Sequence, residues 1–433
     1  MIGPFALNRV HCGDALECLR RLSDECVDAM VTDPPYGIRF MGKAWDSFDK
    51  LKDRAIQRAS QYQTKGKNGK ICTKPRISLA EQAGSYNFTR RANHNFQVWT
   101  FNWAREAYRV LKPGGHLVSF CGTRTYHRMA SGIEDAGFEI RDQLGWIFGE
   151  GFPKSLNVGK AIDKAAGAER RVLEKGKPTK RMIPGADQDR TGSWIKNNGR
   201  EFVPTKTEPS TDAARQWNGW GTALKPAWEP IVLARKPLIG TVVENVLAHG
   251  TGAINVDGCR VNQGRWPANL VHDGSDEVLA CFPDAPGAFF GVGPKYGKKD
   301  GVNCYGDYGL RENMAPRGDD GSAARFFYCA KADADERAGG DHPTVKPLAL
   351  MRWLVTLITP PGGLVIDPFA GSGTTGVAAL QLGFRFIGFD KEEKYCRELA
   401  APRLAAAERG QTVEQYKAGQ LTIFEEASHE DRD

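Results

Sequence analysis

The stretch with the clearest chemical potential is Asp33-Pro34-Pro35-Tyr36. It follows the apolar run 27–32, which reads as a buried strand, so the carboxylate stands at a strand's C-terminal end. Ligand crevices of open α/β sheets lie at that edge. The two prolines fix φ and remove two backbone donors, leaving carbonyls free to accept from another molecule. An exocyclic amine on an aromatic ring is a poor nucleophile, because its lone pair is delocalised into the ring. Two acceptors, the Asp33 carboxylate and the Pro34 carbonyl, can hold both amine hydrogens. They favour a pyramidal nitrogen whose lone pair points at an electrophile. Tyr36 adds a face on which a flat ring can stack. Taken alone, the four residues also describe a rigid polar turn with a surface tyrosine.

A second stretch, LVIDPFAGSGTT at 364–375, reads as a strand, a tight glycine turn and a helix start. Glycines at 371 and 373 permit positive φ and close approach of a ligand to the backbone. A helix N-terminus offers free N–H groups to a carboxylate or phosphate. Asp390 ends the next strand, where a carboxylate can accept from ribose hydroxyls. The loop lacks the lysine of a P-loop, and Thr375 before Gly376 breaks the GxGxxG pattern. An adenosine cofactor fits; so does a plain tight βα turn.

The elements needed to position these groups recur at both ends of the chain. Asp14 caps a helix with leucines at 16, 19 and 22 on one face. A helix over 98–111 is predicted to stop in a turn at Lys112-Pro113-Gly114-Gly115, before a buried strand over 116–121. A helix follows over 123–136, then a strand over 138–148 whose hairpin partner is 230–235. At the other end, His342-Pro343-Thr344-Val345-Lys346-Pro347 opens a helix over 348–358. Strands at 364–366 and 385–389 flank a helix over 376–382, and a last helix covers 392–408. A short strand is expected at 325–329. Strand–helix units at both termini imply one α/β sheet assembled from both ends of the chain.

The chain has 433 residues, of which 41% are hydrophobic and 26% charged, the balance of a soluble globular protein. Its formal charge of +7 fits a polyanionic partner, and the distribution is more telling. Between Lys50 and Arg91 eleven Lys/Arg face two acids, and 151–236 holds seventeen bases against nine acids. Each stretch alone could be a solvated loop; two together favour phosphate contacts. Ten cysteines form no CxxC pair and no Cys/His set at zinc spacing, so free thiols and no metal are expected. The N-terminus lacks a signal-peptide pattern and no apolar run approaches a membrane span, so a cytoplasmic protein without membrane contact is expected.

Together the two motifs resemble the amino-methyltransferases of DNA. The family's catalytic motif [DNS]PP[YF] is matched by Asp33, Pro34, Pro35 and Tyr36. Its D-x-F-x-G-x-G turn is matched by Asp367, Phe369, Gly371 and Gly373, with Ser372 and Thr374 in the same loop. The catalytic motif precedes the cofactor loop by over 300 residues, an order that resembles the beta group. The resemblance implies a Rossmann-like, mostly parallel, seven-stranded sheet with circularly permuted motif order and DNA-binding insertions. It implies S-adenosylmethionine as cofactor. Asp14 would face its adenine, Asp390 its ribose, and Thr344 and Lys346 its methionine end. It further implies double-stranded DNA as partner, a bacterial or phage source, and a homodimer, since beta-group members are often dimers.

On this reading, 1–42, 96–149, 229–237 and 341–410 form the catalytic domain. Basic insertions fill 43–95 and 150–228, a target-recognition region fills 238–340, and 411–433 is a tail. The expected reaction is methylation of adenine N6 in a flipped-out base. Asp at the first motif position favours adenine; cytosine N4 is the alternative, because the same acceptors serve both amines. Methylation of RNA or of a protein amide is a further class, but those enzymes usually place the cofactor loop first. A DNA-binding protein with a dead site is disfavoured by the intact motif residues. No nuclease motif accompanies them, which leaves a solitary enzyme or one half of a restriction–modification pair.

Overall fold

The structure, a computed structural model, describes residues 1–37, 48, 89–149, 151, 155–180, 201–262, 264–286, 318–330 and 346–416. Its centre is a nine-stranded sheet. In chain order the strands are β1 (Arg9–Cys12), β2 (Val27–Thr32), β3 (Leu111–Phe120), β4 (Glu139–Ile147), β5 (Val172–Lys175), β6 (Thr179–Lys180), β7 (Glu201–Phe202), β8 (Thr205–Thr207), β9 (Trp228–Arg235), β10 (Leu270–His272), β11 (Tyr328–Cys329), β12 (Leu364–Asp367) and β13 (Arg385–Asp390). The sheet runs β1-β13-β12-β2-β3-β9-β4-β10-β11, while β5–β8 and β6–β7 form two small separate ribbons. Every pairing in the large sheet is parallel except those of β9 with β3 and β4. The first seven strands of that order are the α/β sheet that was expected, and the anticipated 230–235 hairpin is the β4–β9 pair. The sheet is two strands longer than expected, because β10 and β11 from the middle of the chain extend its edge.

Both faces are covered, which is why β2 is buried at all six positions and is apolar apart from Asp28 and Thr32. On one side lie α1 (Ala15–Arg20), α2 (Arg90–Val110) and α3 (Tyr126–Asp135). α2 buries Phe96, Trp103, Ala104, Ala107 and Val110, a stripe at helical spacing, against Leu117 and Ile366. On the other side lie α8 (Leu348–Ile358), α9 (Thr374–Gln381) and α10 (Ala401–Glu408), packed on Val118, Phe120 and Phe386. Between these groups come α4 (Val158–Ala165), α5 (Asp212–Gln216), α6 (Val242–His249) and α7 (Asp276–Leu279).

Local geometry departs from the sequence expectations in four places. Lys112-Pro113-Gly114-Gly115 is not a free turn: β3 begins at Leu111, directly after α2. Gly114 takes φ +77°, and its N–H donates to the Lys236 carbonyl at 3.1 Å, fixing this corner to the chain after β9. α2 starts at Arg90, within the stretch assigned to an insertion. The 325–329 strand is mostly a 3-10 turn (Ala323–Phe326), and only Tyr328–Cys329 pairs. The last helix opens as a π-turn (Tyr395–Ala400) before α10; Pro402, which has no N–H, stands at the change of winding.

Both chain ends meet where β2 pairs with β12, with Ala29 beside Val365 and Met30 beside Ile366. Buried Asp28 stitches that seam. One oxygen accepts from Lys112 Nζ at 2.6 Å and the other from Leu364 N–H at 2.7 Å. Asp28→Ala leaves a buried N–H and an ammonium without their acceptor, so urea denaturation should show a loss of about 3 kcal/mol. Asp28→Asn, which keeps an acceptor for Leu364, should lose less.

Candidate active site

The β2–β12 pairing brings the two sequence motifs side by side at the C-terminal edge of the sheet. Thr32, the last residue of β2, donates from Oγ1 to Asp367 Oδ1 at 2.7 Å, joining residues 335 positions apart. The chain leaves β2 into Asp33-Pro34-Pro35-Tyr36 and turns at Gly37, whose φ is +70°. A Cβ there would lie 2.6 Å from the Phe96 ring, so a larger residue would push the tetrapeptide off α2. Thr125, the N-cap residue of α3, directs its hydroxyl to the Tyr36 carbonyl at 2.7 Å instead of capping its own helix.

Four polar side chains then converge. The Tyr36 hydroxyl donates to Asp33 Oδ1 at 2.8 Å and lies 3.3 Å from Glu229 Oε2. Lys346 Nζ is 3.1 Å from Asp33 Oδ2, 2.9 Å from Glu229 Oε2 and 3.0 Å from the Tyr36 oxygen. Burial and then the carboxylates of Asp33 and Glu229 push the Tyr36 phenol well above its ordinary value, so it stays protonated. Burial works against the Lys346 ammonium, but the same two carboxylates override it and raise its pKa. The cluster therefore holds two carboxylates, one ammonium and one neutral phenol.

The glycine loop is ordered from within. Asp367 accepts from Thr32 and from Phe369 N–H on one oxygen and from Thr375 Oγ1 (2.6 Å) on the other. Its carboxylate is thus committed to shaping the loop, more than the motif alone suggests. Phe369 wedges between Trp99 and Trp103, with ring centres 5.5 and 5.7 Å away. Gly371 donates its N–H to Asp390 Oδ2 at 2.9 Å, so the loop and the end of β13 are locked together. Gly373 has φ +78° and caps α9; a Cβ there would press on Ala400 at 3.0 Å. Ser372 and Thr374 are buried and both receive Arg403 Nη1, at 2.8 and 3.0 Å.

Asp14 caps α1, accepting from Leu16 N–H at 3.0 Å. It stands two residues beyond β1, and the intervening Gly13 N–H donates to the Asp390 carbonyl at 2.9 Å, so both acids lie at one edge. Lys346 joins the tetrapeptide's cluster; Thr344 lies outside the described residues. A bare glycine turn, the start of α9 and a carboxylate at the neighbouring strand end suit a cofactor with a carboxylate at one end and a ribose at the other.

Glu229, Arg403 and Thr125 were not foreseen as site residues. Glu229 carried one usable signal. It is an acid at the start of a strand whose following residues, 230–235, are all buried, at the edge that also holds Asp33. Nothing in the local sequence marks Arg403.

A family model described as DNA methylase matches residues 27–401. Type II methyltransferase M.HindIII of Haemophilus influenzae is 24% identical over 385 residues, covering 88% of this chain and 90% of that protein. Among solved structures, TTHA0409 of Thermus thermophilus, complexed with S-adenosyl-L-methionine, aligns over 93% of this chain and 95% of its own, with TM-score 0.38 and 17% identity. The cytosine-N4-specific PvuII DNA methyltransferase aligns over 94% and 89%, with TM-score 0.43 and 12% identity.

Burial raises the Asp367 carboxyl from 3.8 to about 6, and its hydrogen bonds only partly offset this. The folded chain then binds that proton more tightly than the unfolded chain, so stability falls as pH rises from 3.8 to about 6. The linked cost above that window is roughly 3 kcal/mol. In Asp367→Asn the amide can donate to Thr375 while its oxygen still accepts from Thr32 and Phe369. Denaturant melts across this window should lose the corresponding slope; an unchanged slope contradicts the assignment.

Proposed function

The chain belongs to the DNA methylase family, and on that premise we propose that it methylates adenine N6 at a defined DNA site, with Asp33 as the group that grips the amine. It is an S-adenosylmethionine-dependent DNA methyltransferase, related to restriction–modification enzymes. The observation that carries the finer reading is the half-buried Asp33, held on both oxygens at the sheet edge beside the glycine loop.

S-adenosylmethionine supplies an electrophilic methyl group on a sulfonium. A base amine inside a duplex cannot reach this edge, so the target nucleotide leaves the stack. The Asp33 carboxylate and the Pro34 carbonyl accept hydrogen bonds from the two amine hydrogens, which frees the nitrogen lone pair to take the methyl carbon; the methyl–sulfur bond would break with its electron pair going to sulfur as a neutral thioether, and the nitrogen would then shed one proton to solvent. The Tyr36 ring offers the stacking face, while Pro35 keeps the turn rigid. The α9 start with Gly371, Ser372, Gly373 and Thr374 takes the cofactor's carboxylate end, Asp390 its ribose and Asp14 its adenine side; Asp367 and Phe369 hold the loop for them. Asp at the first motif position supports adenine over cytosine N4. The basic segments 43–95 and 150–228 contact phosphates, and the exposed Trp217–Trp220 pair lies in the second of them. The region 238–340 reads base edges.

Among the described residues no helix is long and apolar enough to cross a membrane. A DNA substrate supports a cytoplasmic enzyme of a bacterial host. A homodimer completes the reading. α6 exposes Val243 and Leu247, at 67% and 82%, beside exposed Ile239. Light scattering should give a dimer for the wild type and a monomer for Leu247→Asp; a monomeric wild type rules this out.

Mapping of modified bases in DNA from expressing cells should find N6-methyladenine at one sequence; methylation confined to cytosine overturns the adenine assignment. Asp33→Ala should lower transfer by about a thousandfold or more while DNA and cofactor binding persist. Undiminished transfer by that variant removes Asp33 from its role.

A further inference from the structure

Glu229 and Lys346 have no part in the chemistry above, yet Lys346 pairs with Asp33 and Glu229 pairs with Lys346. The Lys346 side chain is only 10% exposed. Its ammonium has three N–H bonds and meets three acceptors at 2.9 to 3.1 Å: Glu229 Oε2, the Tyr36 oxygen and Asp33 Oδ2. It also lies 4.8 Å from the centre of the Phe120 ring. A buried ammonium with every donor satisfied is a fixed structural charge rather than a mobile surface lysine.

We propose that Lys346, anchored by Glu229, is a positioning residue that keeps Asp33 ionised and turned so that its remaining lone pairs face the target amine. This rests on the reading of Asp33 as the amine acceptor. A carboxylate offers about four lone-pair sites. The Tyr36 hydroxyl takes one on Oδ1 and Lys346 takes one on Oδ2, which leaves a free site on each oxygen for the one amine hydrogen that Asp33 accepts, the other going to the Pro34 carbonyl.

Protonation of Asp33 would put an O–H where an acceptor is needed. The other titratable groups that face it are Glu229, Tyr36, Cys121 and Asp367, and none of them brings positive charge. Two of them, Glu229 and Asp367, are acids whose ionised forms place negative charge beside Asp33. Lys346 brings the compensating positive charge. Glu229 prevents the ammonium from swinging away, and it leaves Asp33, Glu229 and Lys346 with a net charge of −1. That sign suits the positive charge that develops on the amine nitrogen as its new bond forms.

The test is the pH dependence of methyl transfer from tritium-labelled S-adenosylmethionine to unmethylated genomic DNA by the full-length protein. Lys346→Met should move the acid-side midpoint of kcat up by about one pH unit or more. It should lower kcat by at least roughly tenfold, with KM for S-adenosylmethionine within about twofold of wild type. Lys346→Arg should restore the midpoint. Adding Glu229→Gln to Lys346→Met should bring it back down, because the uncompensated second carboxylate is gone. Glu229→Gln alone should shift the midpoint below wild type, since the ammonium then serves Asp33 undivided; this variant decides the matter if Lys346→Met does not fold. An acid-side midpoint that stays at the wild-type value in these variants overturns the proposal. So does a Lys346→Met defect confined to KM for S-adenosylmethionine. Asp33→Ala is assayed alongside, and transfer that survives in it overturns the acceptor reading itself, independently of any shift in midpoint.

Discussion

The site exists because β2 and β12 are neighbours. Neither the Asp33 turn nor the glycine loop makes this edge alone: one brings the Asp33–Tyr36 pair, the other the glycine turn that Asp367 orders. Their separation along the chain is closed by parallel pairing and sealed by the Thr32–Asp367 hydrogen bond. That pairing is non-local, and the conformational entropy lost in closing so long a loop has to be met by burial around it. The two cores on either face supply it, with Leu364, Val365 and Ile366 of β12 fully buried between them.

Polar groups near the edge are arranged so that few are left to chance. Asp28 satisfies a backbone N–H at the seam, Asp367 orders the glycine loop, and Asp390 locks that loop to β13. A buried carboxylate is costly unless its oxygens are hydrogen-bonded. Each of these acids is hydrogen-bonded on its oxygens, and at Asp367 those bonds offset the cost of burial only in part. The result is a floor on which Asp33 and the start of α9 keep a fixed relation.

Much of this was legible in the residues. The buried strand before Asp33, the DPFAGSG turn and the Asp390 strand end all announce themselves through local pattern. The reason is that each is a short-range decision: apolar runs make covered strands, glycines make tight turns, and an acid after a strand sits at its edge. What was misread was local structure under tertiary control. Lys112-Pro113-Gly114-Gly115 has turn composition, yet β3 runs through it because the chain after β9 supplies a partner. The strands β10 and β11 are too short to show a period and form only because β4 offers a free edge.

By itself the sequence determined the fold class, the family resemblance and the identity of the two motifs, because those depend on residue type and spacing within a dozen positions. Only the tertiary structure decided which charges surround Asp33. Glu229 comes from β9, Lys346 from the approach to α8, and Tyr36 from the tetrapeptide itself, and no spacing rule links them. The same is true of Arg403, which reaches the glycine loop from α10. An electrostatic environment is a property of distances through space, and the sheet's permuted strand order is what sets those distances.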